Sequence, residues 1–124
     1  MDKKKILIVD DEQQIVQLIT TRLKYKGYEV IQAYNGNECL QKVKNVKPDL
    51  IILDIMMPGI DGNVVADKLK HDPATANIPI IFLTCLIKKE EETESQNIVG
   101  GNIFIAKPFN SEKLIEVIEQ LLAK

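Results

Sequence analysis

The sequence has few of the residues that build metal centres and disulfide frameworks. Among its 124 residues there are two cysteines and one histidine. Cys39 and Cys85 are not spaced as metal ligands, so we predict two reduced thiols of the kind found in cytosolic proteins. His71 is expected to lie exposed near a helix end, with no site around it. A chain of this length can bury a sizeable core without a disulfide or a structural metal.

Long apolar runs and excess basic charge are also missing. The first apolar run, residues 6–9, follows three lysines, but it is only four residues long and ends at Asp10. That length fits neither a signal peptide nor a membrane-spanning helix. The net charge of −2 provides no positive surface for nucleic acid or for an anionic membrane. We therefore expect a cytoplasmic protein without direct contact with either.

The sequence does contain a regular alternation of short apolar runs and amphipathic segments. Its length fits one domain, residues 1–124, and we find neither a linker nor an internal repeat. The alternation predicts an α/β fold in which helices cover both faces of a five-stranded parallel sheet. The predicted strands are 5–10, 29–34, 50–54, 80–84 and 102–106.

Helices are predicted between these strands from apolar residues at helical spacing. The first spans Ile15 to Leu23, and the second opens at Asn35, where Glu38 resembles the partner residue of a capping box. Asp61 is expected to cap the third. The further predicted helices are 63–70, 88–97 and a last helix that begins near residue 110 or 111. The segment 88–97 has no convincing apolar stripe, so we expect loose packing there.

The sequence is organised around the apolar run 50–53, which stops abruptly at Asp54. Pro48 precedes the run and Pro58 follows it, and its composition is typical of a strand that is buried on both faces. Aspartate is disfavoured in strands. In open α/β sheets, ligands bind at the carboxyl ends of the strands. Asp54 is therefore the leading candidate for a functional residue.

Polar residues also end the predicted strands on either side. Asp10 and Asp11 mark the end of the first strand, Thr84 ends the fourth, and Lys107 stands at the end of the fifth. In a flavodoxin-like, doubly wound sheet of order 2-1-3-4-5, the ligand crevice lies between strands one and three. The predicted fold therefore gathers three carboxylates, a hydroxyl and an ammonium at one rim.

Three carboxylates at one rim repel one another, and they cannot all stay ionised unless a cation joins them. Oxygen ligands without nearby histidine or cysteine favour a hard divalent cation, and Mg²⁺ is the available one. Mg²⁺ held by few protein oxygens keeps positions open for a phosphoryl oxygen, and Lys107 adds a compact positive charge. The sequence thus predicts a place where a phosphoryl group reaches Asp54 and is stabilised.

Five motifs, in this order, resemble the response-regulator receiver domain along the whole chain. They are Val9-Asp10-Asp11-Glu12, Leu53-Asp54-Ile55-Met56-Met57-Pro58-Gly59, Asp61-Gly62, Leu83-Thr84 and Lys107-Pro108-Phe109. The resemblance implies a two-component signalling module that is switched by phosphorylation. It implies that Asp54 accepts the phosphoryl group from a phosphohistidine of a sensor histidine kinase or a phosphotransfer protein.

The resemblance also implies a set of metal ligands. Asp11, Asp54 and the backbone carbonyl of Met56 would hold Mg²⁺ directly, while Asp10 would act through water. Such a domain promotes only its own phosphorylation and autodephosphorylation, so in the strict sense it is not an enzyme.

The remaining implied roles concern the phosphoryl group and the switch. Lys107 would pair with the phosphoryl oxygens, Thr84 would hydrogen-bond them, and the Lys107–Pro108 peptide would be cis. Thr84 and the aromatic residue three positions before the lysine, here Phe104, would form a two-state switch. Since Phe104 has no hydroxyl, its readout would be steric.

Some positions depart from the family pattern. Cys85 stands where alanine is common, and Ile103 replaces a residue that is usually small or acidic. The segment 84–100 is about one residue longer than the corresponding segment usually is in the family. The bulk of Cys85 would narrow the site. The segment 84–100 bears instead on the output surface, formed in the family by the fourth helix, fifth strand and last helix, which would contact a downstream protein or a second receiver. The first helix would be the docking surface for the kinase. The chain would be either a stand-alone receiver or part of a longer regulator.

Other interpretations stay open at this point. A small Mg²⁺-dependent phosphohydrolase also uses a strand-end aspartate, but that class expects paired acids on one strand and a cap over the site. A flavodoxin-like cofactor binder expects a phosphate-binding loop after the first strand, where Asp10 and Asp11 stand instead. Either acid can serve as a helix cap, Lys107 as a surface lysine, Thr84 as an ordinary strand residue, and Phe104 as part of the core.

Overall fold

The computed structural model describes residues 3–84, 97–99, 102–107 and 109–123. The strands are β1 (Lys5–Val9), β2 (Glu29–Ala33), β3 (Leu50–Asp54), β4 (Ile80–Thr84), β5 (Asn97–Val99) and β6 (Asn102–Ala106). The helices are α1 (Gln13–Tyr25), α2 (Gly36–Val46), α3 (Gly62–Lys70) and α4 (Ser111–Leu122). Among the described helices, none has the length and hydrophobicity needed to cross a membrane.

The strands form one sheet in the order β2-β1-β3-β4-β6-β5. β1 pairs in parallel with both β2 and β3, and the pairs β3–β4 and β4–β6 are also parallel. The five parallel strands therefore follow the predicted order 2-1-3-4-5, and the flavodoxin-like fold is confirmed. Because the strand order reverses beside β1, the crevice of the sheet lies at the carboxyl ends of β1 and β3.

The short strand β5 differs from the prediction. It pairs antiparallel with β6, and Asn97 lies opposite Phe104. The helix predicted for 88–97 was wrong at Asn97, while residues 88–96 lie outside the described part of the chain. In the sequence, two glycines separate Val99 from Asn102, a spacing that favours a hairpin.

Both faces of the sheet are covered, as the apolar runs predicted. β3 and β4 are buried at every position. One core layer joins the sheet to α1 and α4 through residues such as Leu23 and Ile118, and the other joins it to α2 and α3 through residues such as Val43 and Leu69. Full burial of each such side chain contributes about 1.5–3 kcal/mol. Asp54 therefore ends a strand that packing holds from both sides.

Side-chain caps determine where three of the helices begin. The Asn35 carboxamide accepts a hydrogen bond from the Glu38 N–H at 2.9 Å, and the Glu38 carboxylate accepts one from the Tyr34 N–H at 3.0 Å. This pair confirms the predicted capping box, with the return bond one residue earlier than in the usual pattern. Asp61 caps α3 as predicted, since it accepts a hydrogen bond from the Val64 N–H at 3.1 Å. Asn110 caps α4.

Candidate functional site

The polar residues singled out in the sequence meet at one edge of the sheet. Asp10 follows β1, Asp54 ends β3, Thr84 ends β4 and Lys107 follows β6. The strand register puts Asp54 beside Leu83 and Thr84 beside Ala106, so the ends of these strands are level. Parallel pairing thus brings together side chains that are far apart in the sequence.

Three carboxylates form the centre of this site. One oxygen from each of Asp10, Asp11 and Asp54 lies within 4.8 Å of the others. Asp10 and Asp54 are buried, whereas Asp11 is exposed. Oδ2 of Asp10 is buried without a well-formed hydrogen bond and contacts the Lys107 ammonium as an ion pair. An oxygen-only donor set with excess negative charge fits a hard divalent cation such as Mg²⁺.

Helix capping does not account for the two acids that follow β1. The N-cap residue of α1 is Glu12, and its side chain makes no cap hydrogen bond. The Asp10 carboxylate instead accepts a hydrogen bond from the Glu12 N–H at 2.9 Å, before the helix begins. This bond holds Oδ1 of Asp10, while Oδ2 lies against Lys107.

Lys107 supplies the positive charge of the site. Its Nζ lies 2.9 Å from Asp10 Oδ2, 2.9 Å from Glu12 Oε1 and 3.4 Å from Asp54 Oδ2. The side chain is 13% exposed, so Lys107 is not an ordinary surface lysine. Its backbone N–H donates to the Thr84 carbonyl at 2.9 Å, which ties it to the end of β4.

The charge state of Lys107 results from two opposing effects. Burial lowers the pKa of its ammonium, and the contacts with the Asp10 and Glu12 carboxylates outweigh burial, so the net pKa is raised. Lys107 therefore stays protonated across the physiological range. The contact with Glu12 was not predicted, although three consecutive acidic residues after a buried strand gave a signal for it.

The surroundings of Asp54 disfavour the charged form of its carboxylate. Burial and the neighbouring Asp10 carboxylate raise the pKa of Asp54 from an ordinary value of 3.8 to about 7, against the lowering effect of Lys107. Oδ1 accepts a hydrogen bond from the Met56 N–H at 3.3 Å. A second cation beside Asp54 would favour its ionised, nucleophilic form.

The predicted switch residues lie on adjacent strands. Thr84 is buried at the end of β4, and Phe104 is half-buried on β6. The Phe104 ring stacks on Phe82, with ring centroids 5.0 Å apart and an interplanar angle of 18°. Phe82 was not predicted as a neighbour, although both phenylalanines lie two residues before the end of their strands. Phe104 therefore has a packing role, and its role as a switch stays a prediction.

Two other residues lie apart from the acidic cluster, as predicted. Asp61 caps α3, and His71 is the exposed C-cap residue of the same helix. The Lys107–Pro108 peptide and the Cys85 side chain lie outside the described residues, so the predictions made for them are untested.

Comparisons with known proteins agree with this geometry. The family model for the response regulator receiver domain matches residues 6–119. The phosphate regulon transcriptional regulatory protein PhoB of Pseudomonas aeruginosa is 41% identical over 122 residues, which are 98% of this chain and 52% of PhoB. The alkaline phosphatase synthesis transcriptional regulatory protein PhoP of Bacillus subtilis is 38% identical over 122 residues, 98% of this chain and 49% of PhoP. The chain thus spans about half the length of these curated relatives.

Solved structures of response regulators also match this chain, over nearly the whole length of both chains. A response regulator from Chloroflexus aurantiacus has a TM-score of 0.85 and 31% identity, covering 99% of this chain and 100% of its own. The chemotaxis protein CheY4 of Vibrio cholerae has a TM-score of 0.82 and 32% identity, covering 97% of this chain and 99% of its own. These likenesses favour a signalling domain over the alternative of a small phosphohydrolase.

Proposed function

The chain belongs to the response regulator receiver domain family of two-component signalling, and we propose that Asp54 is the residue at which it is phosphorylated. The observation that carries the proposal is the cluster of Asp10, Asp11 and Asp54, whose oxygens lie within 4.8 Å of one another at the edge of the sheet. Asp54 is a buried carboxylate at the end of a strand that is buried at every position, and the Lys107 ammonium lies 3.4 Å from it.

We propose Mg²⁺ as the cation of this site. Asp11, Asp54 and the backbone carbonyl of Met56 would hold it, with Asp10 acting through water. The buried carboxylate oxygens of Asp10 and Asp54, which lie close to an oxygen of Asp11, support this assignment. When bound, Mg²⁺ offsets the charge of the carboxylates and of the phosphoryl oxygens.

The proposed reaction is a direct phosphoryl transfer. An oxygen of the Asp54 carboxylate forms a bond to phosphorus as the phosphorus–nitrogen bond of the donor phosphohistidine breaks, and the bonding electron pair returns to the imidazole nitrogen. The Lys107 ammonium pairs with the phosphoryl oxygens, and the Thr84 hydroxyl donates a hydrogen bond to them. Later attack by water on phosphorus releases inorganic phosphate and restores Asp54. The domain would thus act on itself alone, not as an enzyme with turnover of a separate substrate.

The proposed partners follow from the family and from the position of the site. A sensor histidine kinase or a phosphotransfer protein would donate the phosphoryl group in the cytoplasm, docking on α1 beside the acidic cluster. A downstream protein or a second receiver would bind the face that contains β6 and α4. Residues 88–96 of the fourth helix predicted for this face lie outside the described residues, and Asn97 lies in β5.

A phosphodonor assay tests the proposal. The protein is incubated with acetyl phosphate and Mg²⁺, and the intact mass is measured. We expect the wild type to gain one phosphoryl group and Asp54→Asn to gain none. Asp67→Asn is the control, because the Asp67 side chain is 73% exposed on α3, and it should be labelled as the wild type is. Equal labelling of Asp54→Asn would refute the proposal, and steady turnover of many phosphate esters would favour a phosphohydrolase.

A further inference from the structure

The first residue of α3 lies directly against the backbone of Asp54. Gly62 donates its N–H to the Ile55 carbonyl at 2.7 Å. This hydrogen bond attaches the start of α3 to Ile55, the residue that follows β3. A Cβ atom added at Gly62 would lie 2.3 Å from the Asp54 carbonyl oxygen and 2.7 Å from Ile55 Cα. Both neighbours are backbone atoms of a buried strand end, so neither can rotate away from the added carbon.

The requirement for glycine at this position comes from space, not from backbone conformation. Among the described residues, the glycines with positive φ are Gly27 and Gly59. Gly62 has a φ that alanine also adopts, and alanine has the higher helix propensity. The close approach to Asp54 is therefore the feature that excludes a side chain here.

We infer that Gly62 is a positioning residue, which lets α3 hold the Asp54 carboxylate at the distances that the site requires. This inference rests on the proposed function of Asp54. The Asp54 carboxylate lies 3.4 Å from the Lys107 ammonium and 3.3 Å from the Met56 N–H, and both contacts change if the Asp54–Ile55 peptide moves. Displacements of about 1 Å near reacting groups cost on the order of 100-fold in rate.

Gly36 provides a matched control at another helix start. It is the first residue of α2, as Gly62 is the first residue of α3. A Cβ at Gly36 would lie 2.7 Å from Val65 Cγ2 and 3.2 Å from both Cβ and O of Ile60. Its tightest neighbour is a side-chain methyl group, and none of the three nearest atoms belongs to Asp54 or Ile55. Gly36→Ala therefore crowds the contact between α2 and α3 without pressing on the strand end.

The experiment compares the wild type with Gly62→Ala and Gly36→Ala. In the metal-free proteins, amide NMR spectra should show shifts at Asp54, Ile55 and Met56 in Gly62→Ala and none there in Gly36→Ala. With Mg²⁺ and beryllofluoride, Gly62→Ala should bind about 10- to 100-fold more weakly than the wild type. The affinity of Gly36→Ala for beryllofluoride should stay within about twofold of the wild-type affinity, although crowding should lower the unfolding midpoint of this variant.

The outcomes separate the positioning role from the proposed function. If the wild type binds neither Mg²⁺ nor beryllofluoride, the proposed function fails. If the wild type binds both and the two variants bind equally well, the positioning role alone is refuted.

Should Gly62→Ala not fold, a surface-excluded osmolyte is added to all three proteins. In the wild type, beryllofluoride should also slow hydrogen exchange at the Gly62 amide more than at Gly36, and equal protection contradicts the inference.

Discussion

Lys107 would compete with the proposed Mg²⁺ for the same carboxylates. Its ammonium contacts Asp10, Glu12 and Asp54, so it neutralises part of the charge that would attract the metal. At the same time, it is the group that meets the phosphoryl oxygens in the proposed reaction. One residue is thus expected to oppose metal binding and to favour phosphoryl transfer.

Replacement of Lys107 by alanine should separate these two effects. We expect the rate of phosphorylation by acetyl phosphate to fall about 100-fold, the scale of losing one transition-state charge contact. Mg²⁺ affinity should be unchanged or higher, because a competing positive charge is lost. Lys113→Ala is the control, since Lys113 pairs with Glu116 on the exposed side of α4. Weaker Mg²⁺ binding in Lys107→Ala would contradict this account of the site.

Cys39 gives a prediction that concerns the core instead of the site. Its side chain is fully buried on α2, and burial raises the pKa of its thiol to about 12. The thiolate is the reactive form, and at pH 8 only about one thiol in 10⁴ is ionised at such a pKa. In a Cys85→Ser background, a disulfide reagent should react with Cys39 only after denaturation. Fast reaction of the native protein would show that this face of the sheet opens readily.

At the scale of elements, the five parallel strands could be predicted from the sequence, whereas the antiparallel edge strand β5 could not. The continuous apolar runs of β3 and β4 are explained by burial on both faces of the sheet. In the structure, both strands are buried at every position. β5 is three residues long, too short for any periodicity to identify, and the two glycines before Asn102 are the only turn signal beside it in the sequence. A strand as short as β5 therefore leaves no periodic pattern in the sequence, and only the neighbouring turn signal can indicate it.

The stacked rings of Phe82 and Phe104 link two neighbouring strands. The two residues are register partners on β4 and β6, and their stacking contributes about 0.5–1.5 kcal/mol beyond simple burial. If Phe104 turns when the site is phosphorylated, this stack must break or move with it. A rotation of Phe104 would therefore cost the stacking energy that the unphosphorylated protein gains from this pair.

Fluorine NMR of the protein labelled with fluorophenylalanine tests the switch. The chain has three phenylalanines, and the third, Phe109, packs in the layer of α1 and α4 on the other face of the sheet. Beryllofluoride with Mg²⁺ should shift the signals of Phe104 and Phe82 and leave Phe109 nearly unchanged. An unchanged Phe104 signal would mean that the ring does not take part in the switch.

At the scale of the whole molecule, the fold explains why separate motifs act together. Asp10 and Lys107 are far apart in the sequence, yet parallel strands bring their side chains within 2.9 Å. Strand ends and residue types were enough to predict that these groups meet. The contacts of Glu12 with Lys107 and of Phe82 with Phe104 were not predictable in the same way, because they depend on side-chain directions that only the folded chain fixes.

The same organisation separates the reacting edge of the sheet from the surface that would carry the signal. The acidic cluster lies at the carboxyl ends of β1 and β3, while β6 lies on the far side of β4 in the sheet. The chain spans about half the length of its curated relatives, in which a further segment accompanies this domain. A signal from Asp54 would therefore cross the sheet through β4 and β6.

The binding of beryllofluoride, followed by fluorine NMR, tests the central claim most directly. Beryllofluoride mimics a phosphoryl group on a carboxylate, so protein-bound fluoride signals should appear in the wild type when Mg²⁺ is added and vanish when the metal is chelated. The same signals should be absent from Asp54→Asn and present in Asp67→Asn. If the wild type gives no bound signal, or if Asp54→Asn gives the same one, the acidic cluster is not a phosphoryl acceptor site.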